Sequence, residues 1–398
     1  MGLISKMRKH GINGSLRIAQ EVLCKPIRPL IYFLFRFFPI DDKLIIFESQ
    51  PDLWDNAWAM YQHFRERGGY RFVWMVEDTR LYTDTGDTKF VSRLGHGLRL
   101  KSYWFYSQAK YNIFTHWTLP EFVKRKGQVV IYTSHGIAIK AGKGGGGLSF
   151  DYTFSLGKFV NGAQCGFLNC EEEKVLSLGY PRNDLLIRNV SVGVDNPFSI
   201  KGVDKVVFWM PTFRKSFQNS LSETGCDTET GLPLYTEASE LSELDAFLRG
   251  NRLLIIVKIH HLQATKYVFF KKFSNLLFLT DDDLKNNGFQ LYEVLGKSDA
   301  LISDYSSVSF DYLLVNKPIG YVLDDIVAYE QERGFVWDNV KDVMPGHHIY
   351  NEGQFKGFLL DVKNGKDVFE KERNLVKDRV FDYTDGNSCD RIVKFFGL

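Results

Sequence analysis

Short apolar runs bounded by turn residues recur along this chain and alternate with stretches of helical character. Residues 43–48 (KLIIFE) read as a strand, followed by a turn at Pro51 and Asp52 and a helix over 56–67. Residues 70–76 (YRFVWMV) read as the next strand, and the runs at 111–114 and 129–132 continue the series. Strands that alternate with helices build a parallel sheet.

The pattern turns polar around 189–202 and restarts with a strand at 205–210 (KVVFWM). Strands are then expected at 253–259 (LLIIVKI), 300–302 and 319–323, with helices over 291–296 and 307–315. The economical reading is an α/β chain of two successive Rossmann-like domains with mostly parallel sheets, over residues 41–195 and 196–398. A length of 398 residues with 44% hydrophobic content supports two separate cores. No fixed-period repeat appears. The glycines of 142–147 (GKGGGG) predict a mobile loop, and residues 216–232 read as an inserted surface loop suited to a lid.

Net charge is only +2, which excludes the broad positive field of a nonspecific nucleic-acid binder. The charge is uneven, however: residues 1–40 carry +6, leaving −4 on the remainder. Those cations neighbour an aromatic stretch, Tyr32, Phe33, Phe35, Phe37 and Phe38, that is too short to span a bilayer and lacks a following small-residue cleavage site. Segment 1–40 thus reads either as an amphipathic helix on an anionic membrane surface or as a helix packed on the first domain. Five cysteines without paired metal spacing read as reduced thiols of a cytosolic protein.

In open parallel sheets ligands bind beyond the carboxyl ends of the strands, so the polar residues just after each apolar run are the candidates. Run 129–132 leads into Thr133, Ser134, His135 and Gly136, which sets an imidazole at a strand tip as a candidate general base or a structural histidine. Run 205–210 leads to Pro211, Thr212, Phe213 and Arg214, a guanidinium placed to grip a phosphate or a plain surface arginine. Run 253–259 ends in His260 and His261, of which one at most faces a crevice, since neighbours on an extended segment point to opposite sides. Run 300–302 leads into Ser303, Asp304, Tyr305, Ser306 and Ser307 and then a helix, which suits either a phosphate at the helix N-terminus or an ordinary N-cap. The lookalike P-loop at 136–143 has the wrong spacing, and Gly144 stands where a Ser or Thr would hold magnesium. The acidic runs 281–283 and 324–325 read as solvated turns or divalent-ion ligands, and no metal site is assigned.

Several of these segments, taken in order, resemble the CDP-glycerol glycerophosphotransferase family, whose members prime and polymerise teichoic acids and build related capsule polymers. Residues 43–56 (KLIIFESQPDLWDN) resemble the family's opening strand, and 133–140 (TSHGIAIK) resemble a segment usually written TWHGTPLK. Residues 179–184 (GYPRND) and 211–214 (PTFR) match fully, 258–263 (KIHHLQ) resemble KLHPLQ, and 298–312 (SDALISDYSSVSFDY) with Lys317, Pro318 and Arg333-Gly334-Phe335 match the most recognisable block. Ser134 and Ala138 replace the family's Trp and Pro around the first histidine, and His261 replaces a Pro.

The resemblance implies a GT-B fold, two facing Rossmann-like domains, with a CDP-polyol donor held mainly by the second. It implies that His135 activates an acceptor hydroxyl and that His260 and Arg214 stabilise donor charge. Ser303, Asp304, Ser306, Ser307 and Arg333 would help to hold the donor, and Gly136, Lys140, Arg182 and Asp184 are further candidates, the last two either touching ligand or locking the crossover between domains. The implied partners are a CDP-glycerol or CDP-ribitol donor, a lipid-linked saccharide or growing polyolphosphate acceptor, and the cytoplasmic face of a membrane, with no nucleic acid and no tightly bound cofactor. Homo-oligomer formation, divalent-ion dependence, and the choice between primase and polymerase stay open. The competing readings are a GT-B glycosyltransferase using a UDP-sugar, whose usual Glu-x7-Glu pair is missing from residues 290–335, and an inactive membrane-bound scaffold.

Overall fold

A computed structural model describes residues 23–93, 98–116, 123–142, 148–190, 201–212, 228–259 and 272–398. Arg214, His260, His261, most of the glycine-rich loop and most of the 216–232 insertion lie outside these residues. By their contacts the described residues form two compact units, one of residues 1–135 with 147–154 and one of 136–146 with 155–398.

Among the described residues the first unit has a helix, Arg28–Phe35, followed by strands β1 (Asp41–Glu48), β2 (Arg71–Val76), β3 (Thr88–Ser92), β4 (Ala109–Phe114), β5 (Val129–Tyr132) and β6 (Tyr152–Phe154). They lie in the order β3-β2-β1-β4-β5-β6, paired in parallel throughout. Residues Leu44 to Glu48 are all buried, as a parallel strand covered on both faces demands, which explains a continuous apolar run instead of an alternating one. On one side of the sheet Leu44, Ile46, Val73 and Met75 pack with Tyr32, Tyr103 and Tyr106 from helices Arg28–Phe35 and Leu100–Gln108. Full burial of side chains of this size stabilises by about 1.5–3 kcal/mol each.

The second unit contributes the two-residue strand β7 (Val175–Leu176) and a sheet of β8 (Lys205–Trp209), β9 (Leu253–Lys258), β10 (Leu276–Leu279), β11 (Ala300–Ser303), β12 (Ile319–Val322) and β13 (His347–Ile349). The sheet order is β10-β9-β8-β11-β12-β13, again all parallel. Trp209, Tyr235 and Phe355 pack ring against ring in its core. Both sheets therefore have the doubly wound 3-2-1-4-5-6 order, in which the direction of winding reverses between the first and fourth strands and a ligand crevice opens at their carboxyl ends. The expected α/β architecture of two mostly parallel, Rossmann-like sheets is met. The switch points are the tips of β1 and β4 in one unit and of β8 and β11 in the other.

One local expectation is corrected. The helix expected over 307–315 is a five-residue α-helix, Val308–Tyr312, that tightens into a 3-10 turn, Leu313–Val315, and stops at Asn316 in the left-handed conformation (φ 52°). Arg28 and Tyr32 of the first-described helix are buried in the first unit, while its Leu30, Phe33 and Leu34 stay exposed. Among the described residues no helix is long and apolar enough to cross a membrane.

Candidate active site

In the first unit the exit of β5 is held by a side chain from another element. Asn56, fully buried on helix Asp55–Arg67, donates from Nδ2 to the carbonyls of Thr133 (3.2 Å) and Ser134 (3.0 Å). Ser134 sits at φ 60°, a left-handed conformation costing about 1–2 kcal/mol for a residue with a Cβ, and the Asn56 clamp offsets that cost. The next residue, His135, is exposed at the strand tip. The neighbouring strand β4, in register with β5 through Phe114 and Tyr132, exits through Thr115 and His116. The His116 ring stacks on that of His135, with centroids 4.9 Å apart and planes inclined by 2°. Thr115 Oγ1 lies 2.7 Å from His116 Nδ1. Sequence reasoning passed over His116, although its place just beyond an apolar run is the same signal that picked out His135.

In the second unit, residues 136–142 run against the block that follows β11 and β12. Lys140 forms an antiparallel bridge with Phe335, Ala141 N–H donates to Gly334 O (2.9 Å) and Val336 N–H donates to Ile139 O (3.0 Å). Gly136 is required twice over: its φ is 140°, and a Cβ there would stand 2.0 Å from Ser307 Oγ and 3.3 Å from Arg182 Nη2. A Cβ at Gly142 would come within 3.9 Å of the Arg333 guanidinium. Five residues singled out from the sequence, Gly136, Lys140, Arg182, Ser307 and Arg333, are thus gathered along one strip of this unit.

The remaining residues divide by what already occupies them. Arg182, buried at the start of helix Pro181–Val190, donates to Asp311 Oδ2 (2.7 Å), and its guanidinium lies 4.6 Å from the centre of the Tyr292 ring. Asn183 Nδ2 and the Tyr292 hydroxyl also donate to the Asp311 carboxylate, at 3.0 and 2.6 Å. Asp184 accepts from the backbone amides of Ser388 and Cys389 (both 2.8 Å) at the N-terminus of helix Ser388–Phe396, so its oxygens hold the C-terminal helix. Asp304 accepts from the amide (2.8 Å) and hydroxyl (2.5 Å) of Thr212, and Ser303 Oγ donates to Met210 O (3.3 Å). These bonds fix the exit of β8 two residues before Arg214. Lys258 pairs with Asp281 (2.9 Å) at the exit of β9, two residues before His260.

Ser306 and Ser307 stay partly exposed, and the Ser307 side chain makes no cap bond to helix Val308–Tyr312. Tyr305 stacks on Tyr329 (4.2 Å between centroids) and donates to Asp325 (2.9 Å), tying the β11 turn to helix Ile326–Glu332, whose next residue is Arg333. Arg333 Nε is out of solvent and has no hydrogen-bond partner among the described residues. The acidic run 281–283 opens helix Asp281–Asn286, where Asp283 and Thr280 cap each other's amides. Among the described residues no three histidine, cysteine or acidic side chains are grouped to hold a metal ion.

Comparison with known proteins adds ancestry to this geometry. A family profile described as CDP-glycerol:poly(glycerophosphate) glycerophosphotransferase matches residues 30–396. The teichoic acid glycerol-phosphate primase of Bacillus subtilis is 26% identical over 56% of this chain and 51% of its own length. The teichoic acid poly(glycerol phosphate) polymerase of Staphylococcus epidermidis is 24% identical over 82% of this chain and 46% of its own. The chain spans about half the length of these curated relatives. The solved structure of the wall teichoic acid polymerase TagF superposes with a TM-score of 0.74 at 20% identity, covering 99% of this chain and 97% of that one, a likeness of fold.

Proposed function

Since the chain belongs to the CDP-glycerol:poly(glycerophosphate) glycerophosphotransferase family, we propose that it transfers glycerol phosphate or ribitol phosphate from a CDP-polyol to a lipid-linked saccharide or a growing polyolphosphate chain. The observation that carries this reading is the strip of Gly136, Arg182, Ser307 and Arg333 in the second unit, where glycine backbone without a side chain and the Arg333 Nε donor, which has no hydrogen-bond partner among the described residues, suit an anionic ligand. Arg333, Ser306 and Ser307 hold the donor pyrophosphate, with Arg214 and His260 adding charge. His135 takes the proton of the acceptor hydroxyl, whose oxygen attacks the phosphorus bearing the polyol. The bond from that phosphorus to the bridging oxygen breaks, and CMP leaves with the electron pair. Catalysis of this kind rests on positioning and charge stabilisation.

The acceptor is drawn from a membrane, and the N-terminal helix supports a peripheral attachment at its cytoplasmic face. Leu30, Phe33, Leu34 and Phe37 on and beside helix Arg28–Phe35 are exposed by 52–73%, with Lys25 and Arg36 nearby, a combination suited to the interface of an anionic bilayer. The deciding assay is release of CMP from CDP-glycerol and CDP-ribitol by the purified chain with an acceptor-lipid extract, using UDP-N-acetylglucosamine as control. CMP from one CDP-polyol, abolished in His135→Ala and His260→Ala, is the expected result. UDP release in its place would assign the chain to the sugar transferases.

A further inference from the structure

The crevice at the switch point of the first sheet opens beside the tip of β4, and His116 stands there with its ring against His135. We propose that His116 is a positioning residue, a flat platform that holds the His135 imidazole in one orientation for its proton transfer. The inference rests on the reading of His135 as the base.

An exposed histidine at the end of a strand has several rotamers of similar energy, and a general base works only in the one aimed at the acceptor hydroxyl. Three constraints remove that freedom here. Asn56 fixes the backbone of Thr133 and Ser134 just ahead of His135. The bond between Thr115 Oγ1 and His116 Nδ1 fixes the His116 ring. Thr115 is itself anchored, since it is fully buried and its amide donates to the Glu48 carbonyl at the tip of β1 (3.1 Å). The parallel stacking of the two rings, with planes inclined by 2°, then transmits that order to His135. The platform therefore acts on the transition state more than on donor binding, which places its effect in kcat.

The test compares His116→Ala, which removes the platform, with His116→Phe, which restores a flat ring without nitrogens, and with Thr115→Val, which cuts the tether while keeping shape. His116→Ala is expected to lower kcat for CMP release by about tenfold or more with KM for the CDP-polyol unchanged. His116→Phe is expected to rescue most of that loss, and Thr115→Val to fall between. A second readout needs no turnover: diethylpyrocarbonate modification of His135, followed peptide by peptide by mass spectrometry, is expected to speed up several-fold in His116→Ala and to return towards the wild-type rate in His116→Phe. Equal modification rates in wild type and His116→Ala, or a Phe variant as impaired as Ala, would overturn the proposal. If the wild-type chain turns over no CDP-polyol, the functional reading fails while the modification rates still decide the platform. Should His116→Ala not fold, the Thr115→Val and His116→Phe pair decides alone.

Discussion

Arg182 and Asp311, 129 residues apart in the chain, form a buried ion pair 2.7 Å long that joins the start of helix Pro181–Val190 to helix Val308–Tyr312. Asp311 also accepts from Asn183 and Tyr292, so its charge is fully engaged. Removing one partner of such a pair leaves the other buried and uncompensated. Arg182→Ala is expected to destabilise the chain by about 3–5 kcal/mol in urea unfolding. Arg182→Lys recovers part of this, because an ammonium keeps the charge but loses the planar contact with Tyr292. A loss below about 1 kcal/mol for Arg182→Ala would show that the pair is dispensable.

Gly136 has neither the space nor the backbone angle for a side chain. Gly136→Ala is expected to reduce CMP release by at least tenfold and to cost about 1–3 kcal/mol from overpacking and strain. Adding Ser307→Gly removes the colliding Oγ and Cβ but leaves the positive φ in place. The double variant should regain part of the stability in thermal unfolding and little of the activity, since Ser307 is itself a donor-binding candidate.

Glu48 at the end of β1 is completely buried, and burial pushes its carboxyl up to about 7 against the opposing pull of Arg93 and the Tyr106 hydrogen bond. The folded chain thus keeps a proton that the unfolded chain releases near the ordinary value of 4.5. The resulting stability is complete below pH 4.5 and is lost as pH rises through about 7. At about 1.4 kcal/mol for each pH unit of difference, the loss is about 3 kcal/mol. Glu48→Gln keeps a neutral group in place and is expected to flatten this part of the pH dependence. Unfolding free energies at pH 5 and pH 8 for both proteins are the check, and identical slopes would remove Glu48 as the cause.

Phe33 and Phe37 are 53% and 73% exposed, and their rings meet edge to face with centroids 5.3 Å apart. Replacing both by Ser is expected to weaken binding to phosphatidylserine vesicles by about tenfold or more, since each ring brings apolar surface worth about 1.5–3 kcal/mol on full burial. Arg36→Glu should weaken it further at low salt and less at high salt. Unchanged sedimentation with vesicles in both the double-serine and the Arg36→Glu variants would sink the membrane reading.

Most of the strands that build the two switch points were legible as apolar runs, because a parallel strand buried on both faces writes its position directly into the chain. β5 falls at the expected 129–132, and β1, β8, β9, β11 and β12 agree to within a residue or two. The strands that escaped notice, β3 (Thr88–Ser92), β6 (Tyr152–Phe154), β7 (Val175–Leu176), β10 (Leu276–Leu279) and β13 (His347–Ile349), are short and lie at or next to the sheet margins. Their assignment depends on pairing with a neighbour, which no local pattern records.

The sequence by itself determined the alternation of strands and helices, the family motifs and the residues standing after each strand, because these depend on neighbours along the chain. Only the tertiary structure decided what those residues do. Asp184, two residues from Arg182, caps a helix 204 residues further on, while Arg182 pairs with Asp311. His116, absent from any motif, lies against His135 because β4 and β5 are neighbours in one sheet. The physical reason is range: apolar periodicity acts over a few residues, whereas ion pairs, ring contacts and the space left by a glycine act between segments that the sheet order alone brings within a few ångströms.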